Sequence, residues 1–167
     1  MLYFFHGASY ESFKNIIKTK YIYASLYIDQ KYLRSAYPLK YVFTNIYVDN
    51  LPLREDEKAG FGAITFIIDP IILKYRTCYF NIGWDGDINK NTIIMNNNVD
   101  EVLDIIRNRY RYPYITTHEA LFRKRISIKF VTGVICEEKY QNDVRKYLDK
   151  HKLFHVKIFN KFPKLIS

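Results

Sequence analysis

Alternating apolar and polar positions predict a chain of short strands mixed with amphipathic helices. Phe13, Ile16 and Ile17 recur with helical spacing, and Ser9 just before them suits an N-cap, which predicts a helix over residues 9–18. The remaining helices are predicted at 29–36, 99–107 and 138–150. Runs rich in β-branched and aromatic residues predict strands at 2–6, 40–48, 63–68, 77–82, 119–123, 130–136 and 154–159.

The order of these elements favours one fold class. Helices are interspersed among many short strands, which predicts an α+β domain with a split or mixed sheet rather than a regular doubly wound one. Residues 50–62 and 83–87 are predicted to be a loop and a turn, and Asp69-Pro70 is predicted to begin a turn or short helix. No linker or internal repeat divides the chain, so a single domain is expected over residues 1–167.

Charge points to anionic partners. The chain carries 26 Lys and Arg against 17 Asp and Glu, a net charge of +9. Such a field favours nucleic acid, acidic surfaces or a phosphate-rich cofactor. A basic soluble protein without such a partner is the alternative, since an AT-rich genome also enriches Lys. No apolar run reaches membrane-spanning length and no signal peptide is recognisable, so a cytoplasmic protein without membrane contact is expected. The oligomeric state is left open.

Cysteine and histidine do not predict a metal centre. Cys78 and Cys136 both lie in apolar, strand-like segments, so they are expected to be buried free thiols. The four histidines show no zinc-binding spacing, and no metal is predicted.

Two motifs carry a more specific signal. The first is Phe5-His6-Gly7-Ala8-Ser9, at the end of the first predicted strand, and the second is Thr117-His118-Glu119-Ala120-Leu121-Phe122, which opens a late strand. Together they resemble the ADP-ribosyltransferase superfamily, and the C-terminal third looks like DarT-type members, which modify single-stranded DNA. The sequence departs from the pattern at Ala8, where Thr or Ser is usual, and at Lys20-Tyr21, where Gly-Leu is usual.

The resemblance implies a fold and a set of roles. It implies a split mixed β-sheet with peripheral helices and NAD as the substrate that donates ADP-ribose. His6 would bind the adenosine ribose, and the Gly7 backbone would hold the nicotinamide amide. Glu119 would bind the nicotinamide ribose and stabilise its oxocarbenium-like transition state, as carboxylates do in glycoside hydrolysis.

Further residues follow from the same resemblance. Arg34 would be a second catalytic residue, contacting the pyrophosphate. Thr117 stands where arginine-modifying members carry Glu, which argues against an arginine acceptor. The remaining cofactor-binding candidates are Ser9, Thr44 of a polar strand motif, and an aromatic residue that stacks on nicotinamide, drawn from Tyr32, Tyr37, Tyr41 and Phe43.

Basic residues interleaved with rings suggest where nucleic acid binds. Cations on phosphates and tyrosines on bases suit a single strand. The same cations would also suit the solvated C-terminal end of a helix. The candidates are Arg107, Arg109, Arg111, Tyr112, Lys124 and Arg125.

Three functions are compatible with these features. The first is an NAD-dependent ADP-ribosyltransferase with a macromolecular acceptor, nucleic acid being favoured by the charge. The second is an inactive module of the same fold that binds nucleic acid or a nucleotide ligand. The third, an RNA 2′-phosphotransferase relative, requires a pattern of Arg and His that is not found. Taken alone, His6 is also compatible with a surface histidine and Glu119 with a surface ion pair.

Overall fold

A computed structural model describes residues 2–28, 40–48, 62–81, 92–95, 100, 103–104 and 119–160. In the described part of the chain, the helices α1 (Tyr10–Thr19) and α2 (Glu138–Lys150) accompany ten strands. The strands are β1 (Leu2–Ala8), β2 (Tyr21–Tyr23), β3 (Tyr41–Val48), β4 (Ile64–Ile68), β5 (Cys78–Asn81), β6 (Thr92–Met95), β7 (Glu119–Arg123), β8 (Arg125–Ser127), β9 (Val131–Cys136) and β10 (Lys157–Phe159). Short 3-10 helices cover Ser25–Tyr27, Pro70–Lys74 and Ile128–Phe130.

Eight of these strands form one sheet in the order β10-β9-β4-β1-β3-β7-β5-β6. Neighbouring strands are antiparallel, except that β10 runs parallel to β9. A second, two-stranded sheet pairs β2 with β8. The predicted α+β class with a mixed sheet is therefore confirmed, and β1 lies in the middle of the large sheet.

The first helix forms where the sequence predicts it. The Ser9 hydroxyl accepts a hydrogen bond from the Ser12 amide at 3.1 Å, which caps the helix as expected. The helix buries Phe13, Ile16 and Ile17 against the sheet, and the Phe13 ring lies 5.8 Å from that of Phe66 on β4. Apolar spacing in the sequence therefore determines which face of α1 covers the sheet.

The two faces of the sheet bury different sets of side chains. Phe4, Phe66 and Phe122 belong to the large core on the face covered by α1, where α2 adds Val144 and Leu148. The opposite face carries a smaller cluster of Phe5, Ile67 and Ile135, bordered by Tyr3, Tyr47 and Phe159. Because side chains alternate along a strand, these clusters identify the face to which each residue of β1, β3 and β7 belongs.

The predicted buried thiols are also found. Cys78 and Cys136 are buried and free. Burial raises the pKa of Cys78 to about 12, and it raises the pKa of Cys136 as well. Both thiols are therefore packing residues at neutral pH.

Several boundaries differ from the predictions. Strands β2, β6 and β8 were not expected, because three or four residues are too few to show alternation. The strand predicted at 154–159 covers only Lys157–Phe159, since the preceding residues form a turn. There the Arg145 guanidinium donates to the carbonyls of Leu153 and Val156.

Other predicted elements fall partly or wholly outside the described residues. The helix at 29–36 and the turn at 83–87 lie outside them, as does all of the loop at 50–62 except Gly62. Of the helix predicted at 99–107, residues 100, 103 and 104 are described, and they are helical. None of the helices in the described part of the chain has the length and hydrophobicity needed to span a bilayer.

Candidate active site at the fork between two strands

The sheet opens beside the first sequence motif. Strand β1 pairs with β3 from Leu2 to Phe5, but it pairs with β4 from Phe4 to Ala8. Beyond Phe5 the strand therefore stays with β4 and leaves β3. His6, Gly7 and Ala8 line the resulting opening, which we call the fork.

His6 spans the fork with its side chain. Its Nδ1 lies 2.8 Å from the backbone carbonyl oxygen of Phe43 on β3. A carbonyl can only accept, so Nδ1 carries the proton and Nε2 of the neutral ring presents a lone pair. Burial lowers the pKa of His6, and the bond to Phe43 offsets this only in part. The ring is therefore neutral at physiological pH, with one nitrogen available as an acceptor.

Glu119 lies close to the fork although it is distant in sequence. It opens β7 opposite Asn45 of β3, and Asn45 lies opposite Phe5 of β1. Neighbouring strands are separated by about 4.8 Å, so the backbones of Glu119 and His6 are roughly 10 Å apart. The two predicted motifs are thus brought together by strand register, and Asn45 lies between them.

The side chains of Glu119 and His6 project from different faces of the sheet. Phe5, Asn45 and Glu119 lie opposite one another on adjacent strands, so their side chains project from the same face of the sheet. This is the face that carries the smaller hydrophobic cluster around Phe5. His6 follows Phe5 in β1 and belongs to the face covered by α1, although its ring turns back to β3. A ligand that contacts both His6 and Glu119 must therefore pass through the fork rather than lie on one face.

The aromatic candidates on β3 share the Glu119 face. Phe43 and Tyr41 are both half-buried there. The Phe43 backbone lies diagonally across from Glu119, whereas Tyr41 lies two residues farther along the strand. The Tyr41 ring packs edge-on against Tyr79, with centroids 5.5 Å apart. Of the two, Phe43 is the nearer to both Glu119 and the fork.

Thr44 and Ser9 use their hydroxyls within the fold. Thr44 is buried, and its Oγ1 donates to the Ala120 carbonyl of β7 at 2.9 Å. The Ser9 hydroxyl accepts from the Ser12 amide and donates to the Ser12 hydroxyl at 2.9 Å. The structure therefore gives both residues a structural partner near the fork, and their predicted contact with a cofactor stays a prediction.

The end of β1 is closely packed. Ala8 is buried, and Gly62 lies so near that a Cβ at position 62 would be 2.8 Å from the Ala8 carbonyl oxygen. Gly62 also has φ of +71°, which disfavours any side chain there. This close contact holds the end of β1, which forms one side of the fork.

The predicted nucleic-acid residues that the structure describes lie away from Glu119. Lys124 and Arg125 follow the other end of β7, roughly 17 Å from Glu119. Lys124 is exposed, and the Arg125 guanidinium carbon lies 4.1 Å from the centroid of the Tyr21 ring. Arg34, Arg107, Arg109, Arg111 and Tyr112 lie outside the described residues.

Two features of this region were not predicted. Asn45 directly follows Thr44 of the predicted polar motif, and its place opposite Glu119 depends on the pairing of β3 with β7. Arg76 donates to the carbonyls of Arg123 at 2.7 Å and Arg125 at 3.0 Å, which holds the turn between β7 and β8. No local sequence signal marks either contact, because each joins segments far apart in the chain.

Comparison with known proteins places the chain in a family. Residues 1–119 match a family described as "Family of unknown function (DUF5846)". The chain belongs to this family. The match includes both His6 and Glu119. No curated protein sequence matches the chain.

Solved structures with a similar fold include three of DarT from Thermus sp. 2.9. The complex with carba-NAD+ has a TM-score of 0.65 at 10% identity, covering 95% of both chains. The complex with ADP-ribosylated ssDNA has a TM-score of 0.65 at 9% identity, covering 95% of this chain and 93% of the other. The NAD+ complex has a TM-score of 0.63 at 11% identity, covering 93% of this chain and 94% of the other. The chain therefore has a fold like that of these ADP-ribosyltransferases.

Proposed function

We propose that this chain is an NAD-dependent ADP-ribosyltransferase whose acceptor is a macromolecule, with nucleic acid favoured. The observation that carries the proposal is the fork, where β1 leaves β3 at His6-Gly7. The register of the sheet places Glu119 on β7, two strands away from β1. Similarity of fold to DarT structures bound to NAD+ and carba-NAD+ supports the same ligand.

Binding of NAD would use polar groups on both sides of the fork. Nε2 of His6 would accept a hydrogen bond from a hydroxyl of the adenosine ribose. Gly7 has no side chain, so the nicotinamide amide could approach its backbone closely. Phe43, half-buried on the Glu119 face, would be the stacking ring for nicotinamide, with Tyr41 as the alternative. Arg34 would contact the pyrophosphate.

Glu119 would act on the nicotinamide ribose. The bond between ribose C1 and the nicotinamide nitrogen breaks, and nicotinamide leaves with the bonding electron pair. The sugar then carries oxocarbenium-like positive charge, which a fixed carboxylate stabilises. An acceptor nucleophile forms the new bond to C1 and loses its proton, so no metal or oxidant is needed.

The acceptor is inferred from charge and from fold similarity. A net charge of +9 favours a polyanion, and Lys124 and Arg125 add cations and a stacked ring near the end of β7. One of the similar DarT structures is a complex with ADP-ribosylated ssDNA. A single-stranded nucleic acid is therefore the acceptor class to test first.

One observation favours a second candidate, an inactive module that binds nucleic acid or a nucleotide ligand. Ala8 provides no hydroxyl where the superfamily pattern has Thr or Ser. The hydroxyl of the adjacent Ser9 is committed to capping α1, so it is poorly placed to substitute. A pocket lacking this hydroxyl could retain a nucleotide without turning it over.

Incubation with NAD labelled in its adenylate tests the proposal. Purified protein is mixed with the label and with single-stranded DNA, RNA or protein acceptors. We expect label on nucleic acid with the natural chain and none with Glu119→Gln. Glu138→Gln, an exposed residue in the first turn of α2, is the matched control and should label normally. Absence of both label and nicotinamide release from the folded natural chain would select the inactive module.

A further inference from the structure

The small sheet has a distinct outer face. In β2 and β8 the central residues Ile22 and Ile126 are buried, so their neighbours project outward. On that outer side the Tyr21 and Tyr23 rings lie 5.7 Å apart. The Arg125 guanidinium carbon lies 4.1 Å from the Tyr21 centroid. A cation and two rings, all half-buried, therefore share the outer face of the small sheet.

The same pairing of cation and ring recurs in the segments next to this sheet. The Lys124 ammonium lies 5.8 Å from the centroid of Tyr27, in the short helix that follows β2. The Lys129 ammonium lies 5.7 Å from the centroid of Tyr75. These pairs belong to segments distant in sequence, so the fold rather than local sequence has gathered them.

Arg76 joins the pairs into one surface. Its guanidinium donates to the carbonyls of Arg123 and Arg125, which places Tyr75 beside the start of β8. We call the surface formed by residues 21–27, 75–76 and 124–129 the cation–tyrosine strip. Arg76 uses its donors on backbone, so Lys124, Arg125 and Lys129 are the cations that face solvent or a ligand.

The charge of the strip has one sign. Segments 20–28, 74–77 and 123–130 together contain seven Lys or Arg and no Asp or Glu. Like charges held close together repel one another, and no acidic residue of these segments offsets that repulsion. A polyanion would relieve the repulsion and release counterions on binding.

Apolar surface is exposed at the same place. Among the described residues, five large hydrophobic side chains are exposed: Leu26, Tyr27, Ile71, Tyr75 and Phe154. All but Phe154 lie in or directly beside the short helices that border the strip, and Tyr75 is 66% exposed. Exposed rings among cations suit a ligand with both phosphates and flat, unpaired bases.

We infer that the cation–tyrosine strip binds single-stranded nucleic acid, at a surface separate from the candidate active site. Phosphates contact Lys124, Arg125 and Lys129, and bases stack on Tyr75 and on the exposed side of Tyr27. Duplexes fit less well, because their bases are already stacked. The strip deepens the proposed function, on which it rests for the acceptor class. Its position beyond the far end of β7, roughly 17 Å from Glu119, makes it a docking surface rather than part of the chemistry.

Binding measured without NAD tests the strip independently of any reaction. Fluorescence anisotropy with labelled poly-dT and poly-U oligonucleotides gives Kd as a function of salt. Lys124→Gln with Lys129→Gln should weaken binding about tenfold or more and lower the salt slope by roughly 1.4, or 0.7 for each phosphate that is no longer neutralised. Tyr75→Ala should weaken binding by at least fivefold with little change in the slope, since it removes stacking.

The matched control makes the same charge change elsewhere. Lys146 on α2 and Lys157 on β10 are exposed and lie outside the strip. Lys146→Gln with Lys157→Gln should change Kd by less than about twofold. It lowers the net charge by the same amount as the strip variant but leaves every cation of the strip in place. Equal losses of affinity in the two double variants would show that binding depends only on the net charge of the protein, which would overturn the inference. Circular dichroism confirms that each variant is folded.

Other ligands decide the remaining outcomes. Preference for poly-dT or for poly-U would identify DNA or RNA as the strand that the strip binds, and either supports the inference. Binding to phosphatidylserine vesicles but to neither oligonucleotide would overturn it in favour of a membrane surface, as would equal affinity for a duplex. If strip-dependent binding is found but NAD never labels any acceptor, the proposed reaction fails while the strip stands.

Discussion

The fork and the cation–tyrosine strip lie near opposite ends of β7, yet they are built in different ways. At the fork, half-buried groups are positioned by backbone register and by a side chain that bonds to a carbonyl, as His6 does to Phe43. In the strip, cations lie over rings: the exposed Lys129 over Tyr75 and the half-buried Arg125 over Tyr21. Rigid positioning suits chemistry at one bond, whereas exposed, repeated pairs suit a long flexible polymer.

The difference also appears in charge. The fork presents a neutral imidazole and the backbone of Gly7, with the carboxylate of Glu119 two strands away. The strip presents only cations. An oxocarbenium-like sugar is stabilised by an anion, while a phosphate chain is attracted by cations, so a protein that performs both tasks benefits from separating the two regions.

The largest expected effect comes from removing the carboxylate. Glu119→Gln should lower NAD turnover by roughly 100- to 1000-fold, the usual loss when one transition-state electrostatic contact is removed. Affinity for single strands should stay within about twofold, because the strip is at the other end of β7. Nicotinamide release measures NAD turnover, and the fluorescence anisotropy of labelled oligonucleotides measures affinity for single strands, both on the same preparation. Loss of both properties together would show that the two regions are not separate.

The next effect separates folding from chemistry at Thr44. Thr44→Val removes the hydroxyl that donates to the Ala120 carbonyl, so one buried hydrogen bond between β3 and β7 is lost. We expect a loss of about 0.5–1.5 kcal/mol in the free energy of unfolding. Urea denaturation measures this loss, and Thr44→Ser, which keeps the hydroxyl, is the comparison. A loss of NAD affinity in Thr44→Val without destabilisation would instead support direct cofactor contact.

A smaller effect concerns pH and His6. Burial lowers the pKa of His6 in the folded chain, so the unfolded chain binds its proton at higher pH. The free energy of unfolding should therefore fall as pH drops below about 6.5, the unfolded value, and level off below the lowered pKa. His6→Gln does not titrate there, so its curve should be flatter.

Denaturation of both proteins across this pH range isolates His6. The pKa of His151 is also lowered, by desolvation and by nearby lysines, but it titrates in both proteins and cancels in the difference. Identical pH curves for the natural chain and His6→Gln would contradict the buried neutral ring. The same protonation removes the Nε2 acceptor, so NAD turnover is expected to fall with acidity as well.

The smallest effect tests the contact between Arg125 and Tyr21. Arg125→Lys keeps the charge but loses the planar stacking, and we expect two- to fivefold weaker binding of a single strand. A double-mutant cycle with Tyr21→Leu should give a coupling of about 0.5–1 kcal/mol in the binding free energy. Additive effects in the cycle would mean that the ring does not preorganise the guanidinium.

Much of the framework is readable from local patterns. Helices α1 and α2 follow from amphipathic spacing, and β1, β3, β4 and β7 follow from apolar runs, because each buries its own apolar side chains. Strands β2 and β8 carry too few residues for such a signal. Each becomes a strand because the other provides its hydrogen-bond partner.

The candidate site divides in the same way. Resemblance in two short motifs singled out His6 and Glu119, and the family match covers both. Their separation by two strands, the position of Asn45 between them and the core-facing side chain of Thr44 depend on how β1, β3 and β7 pair. A shift of one residue in that pairing would send Glu119 to the opposite face.

Sequence alone thus determined the longer helices and strands, such as α1, α2, β1, β3, β4 and β7, the basic character of the chain, and which two motifs are worth testing. Tertiary structure decided that β1 parts from β3 at His6 and that cations from β8 meet rings from β2 and from the segment around Tyr75. The reason is physical. Local periodicity reports how each segment buries its own side chains, whereas a fork or a strip is a relation among segments that only the pairing of distant strands creates.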